Sequence, residues 1–354
     1  DTGETYDLVV VGGGISGLSA AHFFRQAAGP KARILIIENH DDFGGHAKRN
    51  EFHSPQRTML GFGGTFSIES PAPYSAVAKG LIEELGLDVP SYPKYVYRDL
   101  YRAFGLAPKI FFDRETFGAA KLVTNPTPRV GGESEDDKVR AHALEVFLQE
   151  SPFSESAKAD YMRLVTEKTD YLPGLSSDEK KARLARMSYN SFLADLVKVG
   201  PEVVKLFQNM PQPLFGVGFD AVAAQDAWGL GAPGFGGMNL EAGPGKGMNR
   251  DAIPNKEAEK YFFHFPDGNA SIARLLVRKL IPQAIPGHSA TDVVLARANY
   301  ARLAEKKSPV RIRMNSTAVR VKHQGDPAGA TELEMSYAHG GHVYTENADQ
   351  CVPA

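Results

Sequence analysis

The chain has a single cysteine, Cys351, and a single tryptophan, Trp228, among 354 residues. One cysteine excludes an intramolecular disulfide, a c-type haem attachment signature and a cysteine zinc site. It is silent about compartment, because exported proteins can also lack disulfides. Net charge is almost absent: 40 basic residues face 42 acidic ones, a formal −2. That balance calls for neither nucleic acid nor an anionic lipid surface as a partner. No apolar run reaches the roughly 20 residues of a membrane span. Residues 8–21 are apolar or small, but three consecutive glycines interrupt them and no positive charge flanks them as in a signal segment. The ten histidines show no His-x-x-x-His or Glu-x-x-His spacing, so no metal site is expected. There is no Gly-x-Ser-x-Gly hydrolase elbow either. The chain is expected to be soluble; its start at Asp1-Thr2-Gly3 reads as processed or incompletely observed, which leaves a removed export signal open.

What is abundant is glycine, 35 residues, against an average near 7%. The glycines are clustered. With 42% hydrophobic and 23% charged residues the bulk is globular rather than disordered, and the length suits about two domains of roughly 100–200 residues each.

Residues 6–11 form a short apolar run ending at glycines, the pattern of a buried parallel strand. Residues 15–28 read as a helix, with Leu18, Ala21, His22 and Arg25 at helical spacing and Gly29-Pro30 as the stop. Residues 33–37 are a second buried strand closing at Glu38, which completes a βαβ unit. Further on the sequence predicts a helix over 74–85, a hairpin within 110–123, a polar boundary loop over 125–138 and mostly helix over 141–200. A Gly/Pro-rich stretch follows over 211–254, then a helix over 270–280 and strands over 310–314, 318–323, 332–337 and 342–345, with 350–352 opening a further strand. The expected fold is α/β: a Rossmann-like layer with a parallel sheet, formed by residues 1–75 and 255–354, carrying an inserted, partly helical α+β substrate domain over 76–254.

Gly12-x-Gly14-x-x-Gly17 sits directly after the first strand and opens the helix. Gly12 permits the tight turn, Gly14 lets a pyrophosphate approach the backbone, and Gly17 lets helix and strand pack closely. The pyrophosphate then lies at a helix N-terminus, where free N–H groups and the dipole favour anions. Glu38, 21 residues after Gly17, is placed to accept hydrogen bonds from ribose hydroxyls and to repel a 2′-phosphate, which disfavours NADP.

FAD and NAD share this fingerprint, and the next features separate them. After five further residues come Gly44-Gly45. Here the sequence resembles the flavin-containing amine oxidase superfamily, whose Gly-Gly-Arg segment at this spacing lies along the FAD pyrophosphate and ribityl chain. His46 stands in the arginine position and Arg49 in that of a family threonine, with Lys48 or Arg49 left to supply a cation. Gly61-Phe62-Gly63-Gly64-Thr65-Phe66 is similar to the family segment passing the isoalloxazine ring, with Gly61 in place of an acidic residue. Residues 315–321 resemble the strand whose valine backbone holds adenine, which puts Val319 there. Phe265-Pro266-Asp267-Gly268 matches the family's Pro-Gly-Gly segment, with Asn269 for the second glycine. The cofactor-binding set implied is Gly12, Gly14, Ser16, Gly17, Glu38, Asn39, Gly44, Gly45, His46, Gly63, Gly64, Thr65 and Val319.

A narrower resemblance, through residues 7–17, 38–52 and 265–270, is to the bacterial spermidine dehydrogenase family and its NAD(P)/FAD-binding relatives. It implies FAD, a possible b-type haem, a role in polyamine catabolism and export to the periplasm, with the cytoplasm as the location otherwise. The implied reaction is amine dehydrogenation, with a hydride equivalent passing from the carbon beside nitrogen to flavin N5 and the electrons going on to an acceptor other than NAD. A reacting amine must be neutral, hence desolvated, while distal ammonium groups need carboxylates or aromatic faces. Phe215, Asp220, Trp228 and Glu241 are the substrate-lining candidates, with Phe219 and Phe235 beside them; the catalytic residues stay open. The partners implied are a small amine, an electron acceptor, and either a homo-oligomer or a complex with the remainder of the enzyme, because the family's closing flavin segment and its frequent catalytic lysine would fall after residue 354. Two other readings stay beside this one. One is a different FAD oxidoreductase of the superfamily, a desaturase or isomerase; the other is a cofactor-retaining, non-catalytic subunit.

Overall fold

Ile34-Leu35-Ile36-Ile37 is buried at every position, as a strand covered on both faces requires. Around it the computed structural model describes residues 2–69, 74–88, 91, 94–95, 97, 100–126, 137–241 and 262–354. The described strands are, in chain order, β1 (Thr5–Val11), β2 (Ile34–Ile37), β3 (Asn50–His53), β4 (Thr58–Gly61), β5 (Ile68–Glu69), β6 (Lys109–Phe112), β7 (Lys121–Thr124), β8 (Phe262–Phe263), β9 (Val310–Arg313), β10 (Thr317–His323), β11 (Leu333–His339) and β12 (His342–Pro353). The chain divides into two compact units, Asp1–Pro93 with Phe262–Ala354, and Lys94–Tyr261.

The first unit is built on a six-stranded sheet of order β10-β11-β12-β1-β2-β9. β12, β1, β2 and β9 run parallel, while β10 and β11 are antiparallel additions. Strand β1, helix α1 (Ile15–Ala28) and β2 form the βαβ unit read from the sequence, and the fold is mixed α/β with a Rossmann-like parallel sheet. α1 covers the sheet face that carries Val10, since a Cβ on Gly17 of α1 would lie 3.0 Å from Val10 Cγ1. The helix Ala270–Leu280 packs beside α1, with Arg25 Nη1 donating to Leu280 O at 2.7 Å.

On the opposite face Tyr6, Val9, Leu35 and Ile37 share one core with Leu333, Met335, Tyr337 and Ala348. In a flat sheet β9 would stand four strands from β11, about 19 Å away, yet Arg313 of β9 reaches the Tyr337 hydroxyl of β11, so the sheet curls between them. The expected separation of residues 342–345 from a new strand at 350–352 gives way to one continuous strand, β12, which pairs with β11 through its first half and β1 through its second. The intervening Glu346-Asn347-Ala348-Asp349 has neither Gly nor Pro nor any positive φ with which to turn.

Two element bounds differ from the sequence reading for local reasons. The boundary loop ends earlier than residue 138, as helix Asp137–Glu150 begins inside it; residues 127–136 of that loop lie outside the described set. Helix Ala76–Glu84 belongs to the first unit, where Glu84 accepts from Gln26 of α1 at 3.0 Å and meets His22 Nε2 at 3.1 Å. The expected seam after residue 254 also lies outside the described residues.

The second unit is helical around an aromatic core that includes Phe112, Phe147, Tyr161, Tyr189, Phe192, Phe219, Phe235 and Trp228. The Phe192 and Phe235 rings stack at 4.5 Å. Its helix Ser177–Leu184 starts with a reciprocal capping box between Ser176 and Glu179. The hairpin β6–β7 forms as the sequence predicts. Among the described residues no helix is long and apolar enough to cross a membrane.

Candidate functional site

The candidate site lies at the C-terminal end of β1. Gly12 takes φ 109°, a conformation reserved in practice for glycine, and its N–H donates to Ile37 O at 2.8 Å. A Cβ on Gly17 would overlap the Gly12 carbonyl oxygen, so glycine there is demanded by the chain itself. Gly14 differs. Its φ is −74°, and a Cβ there would come no closer than 3.7 Å to any atom outside its immediate neighbours. No described atom would clash with a Cβ at 14, so the space before the helix start is open to a ligand. Gly14 is also the N-cap of α1, no side chain caps the helix, and its first turn holds no acidic residue; Ser16 is exposed there. The uncompensated positive end of a 14-residue helix faces the loop.

Glu38 follows β2 and is 4% exposed. Its Oε2 accepts the Gly13 N–H at 2.7 Å; its Oε1 accepts the His40 N–H at 2.8 Å and meets His40 Nδ1 at 2.7 Å. A carboxylate offers about four acceptor sites, so three partners leave one for a ribose hydroxyl. His40 was not singled out by sequence; a histidine two residues after the strand-ending acid is its only signal. Asn39 Oδ1 accepts from Thr317 Oγ1, and Ser316 N–H donates to Glu38 O at 2.9 Å. These bonds bring the start of β10 over the Glu38 segment. In β10 the register shifts between Ala318 and Arg320, so Val319 sits in a bulge without a cross-strand partner and its side chain is exposed.

The second glycine pair docks on the first loop. Gly44 N–H donates to Gly13 O at 2.8 Å, and Gly44 and Gly45 adopt φ of 111° and 55°. A Cβ on Gly45 would stand 3.0 Å from Gly14 Cα. The third cluster docks on the second: His46 O accepts the Gly64 N–H at 2.8 Å, a Cβ on Gly64 would overlap the His46 ring, and one on Gly63 would overlap Lys48 O. The sequence reading made Gly63 and Gly64 side-chain-free for the sake of a flat ring; the structure adds a reason internal to the chain. Of the two cations considered, Lys48 pairs with Asp41 at 2.7 Å, and Arg49 is buried among Glu51, Asp267 and Val294 O. Burial opposes it, but the Arg49 guanidinium still holds the Glu51 carboxyl below its usual range.

Three buried polar atoms in this unit, Thr65 Oγ1, Ser67 Oγ and Asn269 Oδ1, have no hydrogen-bond partner among the described residues. They are neighbours: Asn269 N–H donates to Thr65 O at 3.3 Å and Asn269 Nδ2 to Ser67 O at 3.1 Å. Buried polar atoms are normally satisfied, and an orphaned group calls for a missing partner. The residues present thus fit a dinucleotide: an uncapped helix start, a glycine with open space around it, a buried carboxylate with spare capacity, and orphaned polar atoms beyond the Gly-Gly segments. Among the described residues no group of three or more His, Cys, Asp or Glu could hold a metal ion.

In the second unit, Trp228 and Phe235 line a cavity of about 400 Å³ together with Leu164, Glu167, Lys168 and Asn239. Of the other substrate candidates, Phe215 packs against the aromatic core. Asp220 is exposed and accepts from Gln208 Nε2 at 2.6 Å. Glu241 is exposed, its N–H donating to Ser177 Oγ at 2.9 Å. These three do not line that cavity.

Comparison with known proteins agrees with the Rossmann-like layer. Residues 10–81 match the family described as NAD(P)-binding Rossmann-like domain. An 86-residue stretch, 24% of this chain, is 33% identical to a protein named Oxidoreductase PigB from Serratia sp. (strain ATCC 39006), covering 11% of that protein. Among solved structures, wild-type putrescine oxidase bound to putrescine aligns over 99% of this chain at 13% identity and TM-score 0.44. A CLA-producing fatty acid isomerase from P. acnes aligns over 98% at 14% identity and TM-score 0.40. The chain spans 58% of the length of each of these two structures.

Proposed function

We propose that the first unit holds FAD and that the protein is an oxidoreductase dehydrogenating an amine of the polyamine type. The observation that carries the flavin reading is the docking of Gly44-Gly45 on Gly13-Gly14 through the 2.8 Å hydrogen bond, with the third glycine cluster docked on it in turn. This extends a dinucleotide loop into a longer, side-chain-free track. Bound FAD supplies a two-electron acceptor at flavin N5.

This chain's residues then bind and orient. Gly14 and the N–H groups of α1 receive the pyrophosphate. Glu38 accepts from a ribose hydroxyl, and its charge repels a 2′-phosphate. The backbone of Val319, released from the ladder by the bulge, offers an edge for adenine. Thr65, Ser67 and Asn269 supply polar atoms that the protein leaves unpaired. The amine class is supported by the motif resemblance. The second unit's cavity offers Trp228, Phe235 and Glu167 to an ammonium group, with Lys168 beside them as an opposing charge. The same resemblance carries export to the periplasm and a b-type haem, for which a Soret band is the direct readout.

Anaerobic titration of the purified full-length protein with spermidine tests the reading. Flavin bands that bleach stoichiometrically are expected. Flavin bands that no polyamine bleaches would remove the amine; the absence of flavin from a protein offered FAD would remove the flavin.

A further inference from the structure

One buried ion pair joins the Gly44-Gly45 segment to the Asp267-Gly268 segment, which in turn packs on residues 65–67. Arg49 lies three residues after His46, and its side chain is 7% exposed. Its Nη1 stands 3.0 Å from Oδ2 of Asp267, which is fully buried, and also donates to Val294 O at 2.7 Å. Asp267 Oδ1 accepts from Ser271 Oγ at 2.7 Å, in the first turn of the helix Ala270–Leu280. The next residue, Gly268, has φ 63°, and a Cβ there would lie 2.6 Å from Thr65 O. Asn269 then makes the two hydrogen bonds that hold Thr65 and Ser67. Displacing Asp267 therefore displaces the residues that carry the orphaned atoms.

Stability does not explain this pair. Burying a guanidinium and a carboxylate costs several kcal/mol of desolvation, and apolar replacements of like shape are often as stable or more so. The cost is higher here because a second guanidinium, Arg274, is buried nearby and makes its hydrogen bonds to the carbonyls of Val293 and Ala296. One attested use of a buried ion pair is to fix one geometry among several. We infer that Arg49 and Asp267 are positioning residues for the flavin: they lock residues 44–49, 61–67 and 265–271 into one register, so that Thr65, Ser67 and Asn269 face the cofactor. This rests on the flavin reading above.

The test measures FAD dissociation constants by fluorescence, alongside melting of the FAD-free protein, in the full-length protein and its variants. The double variant Arg49→Met/Asp267→Leu removes the two buried charges together and leaves Glu51, which is partly exposed and also meets His53. It is expected to melt near the wild type yet bind FAD at least about tenfold more weakly, the scale of loss that small misplacements cause. Should that variant fail to fold, Arg49→Lys decides. It keeps the charge and loses the fork, so unchanged melting with several-fold weaker FAD binding and an altered visible band shape is expected. As a control, Glu346→Gln, in a buried ionic cluster elsewhere in the unit, should lower the melting temperature and leave FAD affinity unchanged. Wild-type affinity in whichever Arg49 variant folds overturns the inference while leaving the flavin reading intact. A wild-type protein that binds no FAD overturns both.

Discussion

At the level of single residues, the glycines divide by what a methyl group would meet. Gly17 is required by the Gly12 carbonyl and Val10, Gly64 by the His46 ring, Gly63 by Lys48 O, whereas Gly14 has no such neighbour among the described residues. The fingerprint made Gly12 and Gly17 legible in the sequence, because the tight turn and the close helix–strand packing follow from spacing alone. The reason for Gly63 and Gly64 was not legible: Lys48 and His46, 15 and 18 residues earlier, occupy their space, and spacing does not show that. Arg49 was read as a free cation for the same reason, since its partner Asp267 is 218 positions distant. Two substitutions separate the roles. Gly17→Ala should destabilise the protein by about 1–3 kcal/mol or more through overpacking, seen as a lower urea midpoint without FAD. Gly14→Ala should leave that midpoint unchanged and weaken FAD binding at least about tenfold, the equivalent of roughly 1.4 kcal/mol. Equal effects of both changes on both readouts would show that the ligand is not the reason for Gly14.

Among elements, α1 and the helix Ala270–Leu280 were readable from end to end. Each begins at a Gly or Asn and carries basic residues in its last turn, and α1 also stops at a glycine. The sheet's curl was not readable, because local pattern identifies strands but not which face folds over which. Its signature is electrostatic. Arg313 of β9 pairs with Glu346 of β12 and with Glu4, and its guanidinium also meets the Tyr337 hydroxyl of β11. Burial pushes the Glu4 carboxyl up, yet Tyr6, Arg311 and Arg313 together hold it below its usual range. A lowered folded-state value means that the contribution of Glu4 is complete above about pH 4.3 and is lost as pH falls through the lowered value. The urea midpoint should therefore be flat from neutrality down to about pH 5 and decline below about pH 4. Glu4→Gln should make that acid decline shallower; an unchanged decline would place its origin elsewhere. Glu346→Gln should cost about 3 kcal/mol, because it removes one carboxylate from a buried pair.

For the molecule as a whole, the excess of glycine becomes a single track: three clusters, each docked on the one before by a backbone hydrogen bond, across 53 residues of chain from Gly12 to Gly64. The α/β class and the βαβ start followed from apolar runs and punctuation; the sequence placed seams after residues 75 and 254, while helix Ala76–Glu84 bonds to α1 and groups with the first unit, a long-range contact that composition does not show. The proposed ligand of this track is FAD. Equilibrium titration of the full-length, cofactor-stripped protein with FAD, NAD⁺ and NADP⁺ is the decisive test. FAD should bind at least about a hundredfold more tightly than NAD⁺, a difference of roughly 2.8 kcal/mol, and NADP⁺ should bind weakest because of Glu38. NAD⁺ or NADP⁺ binding as tightly as FAD would contradict that proposal.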